Sequence, residues 1–266
     1  MRADRMWWYV FALAFVATGL AESLLPARVL RSSLTRRWIS NSILLIVSSL
    51  VGVCAYEFTG IALAFATKAS SFGVLNRLPI SYALRFAAGF AAFDLSAYVS
   101  HRAFHAVSPL WRIHRVHHSE TDLDLTTGLR FHPAEALVVR GFSLLVIAVL
   151  GIPPAAVVVA GFAILAQDFF THANVRFPER ADRWLRLLIV TAPMHRVHHS
   201  ECVQEQNTNF ATIFSVWDRL FRTYNAGPSL SADPSRCGLV EIANGSDLNA
   251  ARLLILPFQR PPTNNP

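Results

Sequence analysis

Ten histidines are the residues of this 266-residue chain best suited to chemistry, and all fall between positions 101 and 199. His101 and His105 are four apart, so on a helix both rings share one face. His114, His117 and His118 add i,i+3 and i,i+4 relations, and His195, His198 and His199 repeat them. The heptapeptide His-Arg-Val-His-His-Ser-Glu in fact occurs twice, at 114–120 and 195–201, and two equivalent chemical sub-sites are the natural reading. His132 and His172 stand alone. A lone histidine is ordinarily a hydrogen-bonded core or surface residue. Eight in three spaced clusters are different, because burying them without a common partner would strand polar atoms, and neutral imidazole is the commonest metal ligand. The nitrogens outnumber those of a zinc site, so the expectation is a dinuclear centre with about four or five imidazoles per ion. HExxH, the zinc-protease signature, is absent, as are the Glu-x-x-His pairs of ferritin-like bundles.

Carboxylates could support such a centre. Asp168 lies four residues before His172, where its carboxylate could fix that ring's tautomer. Asp94 is too far along its own helix to touch His101, but it could orient a histidine from another helix or pair with Arg85 or Arg102. Asp218, beside Trp217, reads as a structural cap or salt bridge.

The elements that must position these residues are apolar. Hydrophobic residues make up 53% of the chain and charged ones 15%, mean hydropathy is +0.37, and several apolar runs are long enough to cross a bilayer. This excludes a disordered or fibrous protein and predicts an all-α integral membrane bundle with a cytoplasmic histidine-rich helical cap. A net charge of +7 does not point to nucleic acid. All the basic residues but Lys68 are arginine, and they sit mostly between apolar runs, as topology signals do. Three cysteines, Cys54, Cys202 and Cys237, form neither a disulfide framework nor an iron–sulfur motif.

The first run, 6–25, spans or anchors. The basic stretch after it, Arg28 to Arg37, reads as a retained cytoplasmic loop rather than the sequel to a cleaved signal. The second, 38–66, is interrupted by Glu57 and is either one tilted helix or a bent pair. The third, 78–99, carries Arg85 and Asp94, which should face protein, and leads into His101. Runs 134–150 and 155–170 flank Gly151-Ile152-Pro153-Pro154 and read as a transmembrane hairpin. Arginines place 26–38, 101–133 and the lobe after Arg176 on the cytoplasmic side, the inner membrane's in a bacterium, with the N-terminus outside. Residues 1–78 are read as N-terminal transmembrane segments, 79–225 as the catalytic domain and 226–266 as a C-terminal tail that frays around Pro261, Pro262, Asn264 and Asn265.

The order HxxxH, HxxHH, HxxHH at the ends of membrane helices resembles the fatty acid hydroxylase (sterol desaturase) superfamily, membrane-bound histidine-rich di-iron oxygenases. The likeness extends to Asp94-x3-Tyr98-x2-His101-Arg102-x2-His105, Pro109-Leu110-Trp111-Arg112-x-His114, Arg130-Phe131-His132-Pro133, His172-x-Asn174, Asn209-Phe210 and Trp217-Asp218-Arg219-Leu220-Phe221, over roughly 80–225. Ala211 and Arg222 stand where the pattern leads one to expect glycine. The resemblance implies that His101, His105, His114, His117, His118, His132, His172, His195, His198 and His199 supply two irons, though one of the ten could instead sit in a supporting role, and it adds Asn209 to Asp94, Asp168 and Asp218 as supports.

The chemistry so implied is O2-dependent hydroxylation of a membrane lipid such as a fatty acyl, alkyl or sterol compound. Desaturation is the near alternative, and a metal transporter or metal-binding protein is the alternative from another class. Transport sites sit near the bilayer midplane on broken helices, whereas these histidines gather at one membrane face. No Gly-x-Gly-x-x-Gly, cysteine cluster or His-Pro-Gly-Gly is present, so electrons are expected from an external donor. A ferredoxin or cytochrome with its reductase would land on the Arg-rich 176–196 region.

Overall fold

The computed structural model describes residues 3–55, 59–227, 236–240, 242 and 248–259. They form α1 (Ala3–Leu24), α2 (Leu34–Ala55), α3 (Gly60–Ala69), α4 (Val74–Arg77), α5 (Tyr82–Ala106), α6 (Ser108–His118), α7 (Pro133–Leu150), α8 (Pro154–His172), α9 (Glu179–Leu185), α10 (Ala192–His198), α11 (Val203–Gln206), α12 (Val216–Leu220) and α13 (Ala250–Ile255). No strand occurs among the described residues, where β pairing is confined to isolated bridges such as Ser200 with Cys237.

Four stretches are long and apolar enough to cross a membrane: Met6–Leu24, Leu34–Arg77, Pro133–Leu150 and Pro154–His172. Their outer faces leave Leu13, Leu20, Leu50, Val53, Leu145 and Val149 bare, a surface suited to lipid and costly in water. The 38–66 run resolves into the pair α2 and α3, and Glu57 lies outside the described residues. α7 and α8 are joined by a short turn over 151–153, and each packs against α3 and α5. Gly151 ends α7 in the left-handed region at φ +66°, its N–H bonding the Ile147 carbonyl at 2.9 Å. Pro154 then starts α8 at a position that has no intrahelical N–H to lose.

α5 packs against α6, α7 and α8. Asp94 is fully buried and faces protein, whereas Arg85 is half-buried, its Nε donating to the Ile80 carbonyl at 3.2 Å, and Arg102 is exposed. The C-terminal ends of α5, α6, α8 and α10 carry the clustered histidines. Part of the 226–266 segment belongs to the core, since Leu239, Leu253 and Leu256 join Leu44, Trp111 and Val116 in one buried cluster. Pro261, Pro262, Asn264 and Asn265 lie outside the described residues.

Candidate metal centre

Nine of the ten histidines converge in two groups: His101, His105, His114, His118 and His198 in one, and His117, His172, His195 and His199 in the other. Within each group the ligand atoms lie within 4.8 Å of one another. The duplicated heptapeptide is divided between the groups by exchange. Its i,i+4 pair stays together, as His114 with His118 and His195 with His199, while the i+3 histidine crosses over. His117 thus joins the second group and His198 the first. The repeat therefore builds two sub-sites of like composition, completed by α5 on one side and by the last residue of α8 on the other.

Hydrogen bonds on the far sides of the rings fix which nitrogen faces inward. Nδ1 of His101 meets the Phe210 carbonyl at 2.8 Å, that of His198 the Thr208 carbonyl at 2.8 Å, and that of His172 the Asp168 carbonyl at 2.7 Å. Nδ1 of His114 meets Glu135 Oε1 at 2.6 Å and that of His105 meets Asn207 Oδ1 at 3.3 Å. A backbone carbonyl can only accept, so Nδ1 of His101, His198 and His172 carries the proton and their Nε2 presents a bare lone pair to the interior, and an ionised Glu135 and the Asn207 amide oxygen would hold His114 and His105 in the same tautomer. Burial pushes the His114 imidazole down to about 3 and holds His117, His118, His195, His198 and His199 well below the usual range, so these rings are neutral near pH 7.

The inward nitrogens fit a metal and fit poorly as a self-contained hydrogen-bond network. Buried Nε2 atoms of His101, His105, His114 and His198 and both ring nitrogens of His118 have no hydrogen-bond partner. Nε2 of His172 lies 3.1 Å from Nε2 of both His117 and His195, and His195 lies 3.2 Å from His199. One lone pair on His172 cannot serve two donors well. Nitrogens bound at right angles about 2.1 Å from a common ion, however, are about 3.0 Å apart.

His132 stands apart from both groups, contrary to the ligand role expected for it. It is the N-cap of α7, its Nδ1 accepting from Ala134 N at 3.1 Å while Nε2 donates to the Leu254 carbonyl at 3.2 Å. Both nitrogens are thereby used. The Arg-Phe-His-Pro run has structural work at every position. Arg130 holds the end of α6 through the Val116 carbonyl at 3.0 Å and Ser119 Oγ at 2.8 Å, and the Phe131 ring stacks on His117 at 4.8 Å. Pro133 begins α7.

The carboxylates also differ from expectation in detail. Asp168 fixes His172 through its backbone carbonyl and not its carboxylate, because the last turn of α8 aims the carbonyls along the helix axis at the ring. Gly128 permits this, since a Cβ there would come within 2.9 Å of that carbonyl oxygen. Asp94 contacts neither a histidine nor Arg85 or Arg102. It accepts from Ile213 N at 3.0 Å, Phe214 N at 3.1 Å and Trp217 Nε1 at 2.8 Å, clamping the loop after Ala211 onto α5. Asp218 accepts from Phe210 N at 2.8 Å and Ala211 N at 3.1 Å, and so holds the peptide whose carbonyl orients His101.

Asn209, at φ +55°, ties Met194 O and Asn225 O at 3.0 Å each. Arg222 adopts φ +60°, a left-handed conformation that explains why glycine was expected there. Glu135 was missed by the sequence reading. Its signal was a carboxylate inside an apolar run, just after His132-Pro133.

Beside the histidines opens a largely apolar chamber of about 370 Å³, walled by Phe93, Phe104, Phe131, Val139, Ile164 and Leu165 among others. His101 and His114 of one group and His117, His172 and His195 of the other all reach its wall.

Nine histidines gathered into groups of five and four at one end of a helical bundle with membrane-length helices mark a histidine-rich membrane protein. Residues 86–223 match the fatty acid hydroxylase family, and the chain belongs to it. Among curated relatives, it is 30% identical over 144 residues to the ornithine lipid hydroxylase OlsE of Rhizobium tropici, covering 54% of this chain and 43% of that protein. It is 30% identical over 137 residues to the alkylglycerol monooxygenase of Homo sapiens, covering 52% and 30%, and 32% identical over 138 residues to that of Danio rerio, covering 51% and 29%. The chain thus spans less than half the length of these relatives. No solved structure matches.

Proposed function

We propose that this chain is an O2-dependent lipid hydroxylase that holds two irons, one among His101, His105, His114, His118 and His198 and the other among His117, His172, His195 and His199. Iron bound there supplies redox chemistry that activates dioxygen toward a C–H bond, which redox-silent zinc cannot do. Glu135, Asn207 and the carbonyls of Asp168, Thr208 and Phe210 keep Nε2 of their histidines unprotonated and aimed inward. Phe93, Phe104, Val139, Ile164 and Leu165 line the space for an acyl or alkyl chain and keep water from it.

The observation that carries this reading is that histidines of both groups form part of the chamber wall, so a lipid chain inside it lies against both sub-sites. The three relatives are, by their names, one ornithine lipid hydroxylase and two alkylglycerol monooxygenases, and a membrane lipid is accordingly the substrate class proposed here. The arginine distribution supports a histidine end at the cytoplasmic face, of the inner membrane in a bacterium. The overall reaction, RH + O2 + 2e⁻ + 2H⁺ → ROH + H2O, draws two electrons from outside the substrate. None of the 266 residues forms a flavin, nicotinamide, iron–sulfur or haem-attachment motif, so an external ferredoxin or cytochrome with its reductase is the proposed source.

The test is lipid analysis of cells with and without the gene, grown under ¹⁸O2. A lipid heavier by one ¹⁸O is the expected product. A lipid lighter by two hydrogens, with no label, would make the enzyme a desaturase, and no lipid change would leave a metal-binding protein.

A further inference from the structure

A second cavity, a cleft of about 760 Å³, shares no lining residue with the lipid chamber. Six arginines line it, Arg28, Arg31, Arg36, Arg37, Arg130 and Arg236, against the three carboxylates Glu120, Asp122 and Glu201. Those carboxylates are turned to the protein. Glu120 is held by Arg37 at 3.0 Å and Arg130 at 3.4 Å, Glu201 by Arg236 at 3.6 Å, and Asp122 accepts from the backbone N–H groups of Arg31 and Ser32 at 2.8 and 2.6 Å. Arg31 and Arg36 are exposed, and among the described lining residues arginines outnumber carboxylates by six to three.

The floor of this cleft adjoins both sub-sites. Ser119 and Glu120 line it and directly follow His118, while Glu201 lies two residues beyond His199. Cys237, also in the floor, pairs with Ser200 and precedes Gly238, whose N–H bonds the His199 carbonyl at 3.0 Å. The Ser-Glu ends of both heptapeptides therefore reach the cleft, whereas the chamber meets other histidines of the two groups.

We propose that this cleft is the docking site of an acidic one-electron carrier protein. The inference rests on the hydroxylase reading and assigns its two entrances: lipid through the apolar chamber, electrons through the arginine cleft. A carrier would dock twice per turnover and be oxidised by one electron each time. The two electrons and two protons complete the cleavage of O2, one oxygen forming the new C–O bond in place of C–H and the other leaving as water.

The 176–196 region is the weaker landing site. Arg183 pairs with Glu179 at 3.8 Å and Arg186 with Asp182, while Trp184, Leu187 and Leu188 are exposed there. That mixture suits the lipid interface better than an acidic protein.

The test uses the full chain in nanodiscs of zwitterionic phosphatidylcholine, with an acidic [2Fe–2S] ferredoxin as probe. Binding should weaken as salt rises. R31E/R36E should weaken it by about tenfold or more, while R31K/R36K and R180E/R183E should stay within about twofold of the parent. Three results would overturn the assignment: no salt-dependent binding by the parent, equal binding by R31E/R36E, or an effect of R31E/R36E confined to adhesion of phosphatidylglycerol vesicles, which would make the cleft a lipid-headgroup site. Iron content and turnover on a chemical reductant, measured on the same variants, report separately on the hydroxylase reading, because neither involves the carrier.

Discussion

Nε2 of His117 lies 3.1 Å from Nε2 of His172, a residue 55 positions away, and not beside the histidines of its own helix turn. His114 and His118 face the other group. Each copy of the heptapeptide therefore contributes to both sub-sites, and neither sub-site can be complete without both copies.

His118→Ala or His199→Ala should accordingly abolish turnover while membrane insertion persists, because the apolar runs drive insertion. Turnover assays on membranes with matched protein levels check this. Retained activity in either variant would remove that residue from the metal-binding set.

His132→Ala should leave the metal content unchanged and cost about 1 kcal/mol of stability through loss of the α7 N-cap. Metal analysis combined with thermal unfolding separates the two effects. Loss of an iron equivalent would return His132 to the ligands.

Removing the acceptor for His114 Nδ1 should act on the metal and not on the fold. Glu135→Ala is expected to lower metal affinity by about 10–100-fold, and Glu135→Gln, whose amide oxygen can still accept, by less. Competition with a graded series of chelators measures both. Equal affinity in parent and Ala variant would show that the 2.6 Å contact does not orient the ring.

The helices and the histidine clusters were legible because both are periodic and local. Apolar runs of bilayer length and i,i+3/i,i+4 spacings survive in any tertiary setting. What the spacing could not carry was the exchange of His117 and His198 between groups, since it depends on how α6 and α10 face each other. Among the supports, Asp168 was legible from spacing because it lies close in sequence to its histidine. Asp168 was found four residues from His172, yet its carbonyl and not its carboxylate makes the bond, a distinction set by helix geometry. Glu135, 21 positions from His114, left no local trace linking the pair. His132 misled because a capping histidine and a ligating one look alike in sequence.

The charge pattern gives a topology that can be checked directly. A tag after Pro266 and one at Gly151 should be accessible from opposite sides of the membrane, with the C-terminal tag cytoplasmic. Labelling by an impermeant thiol or biotin reagent in intact and lysed cells distinguishes them, and labelling of both from one side would break the hairpin assignment.

Two sub-sites of five and four histidines should each hold one iron. Metal quantification on anaerobically purified protein, read together with iron-dependent turnover, tests it most directly. About two irons per chain are expected, in keeping with the imidazole count, with activity that rises with iron loading. Stoichiometric zinc with no iron-dependent turnover would contradict it.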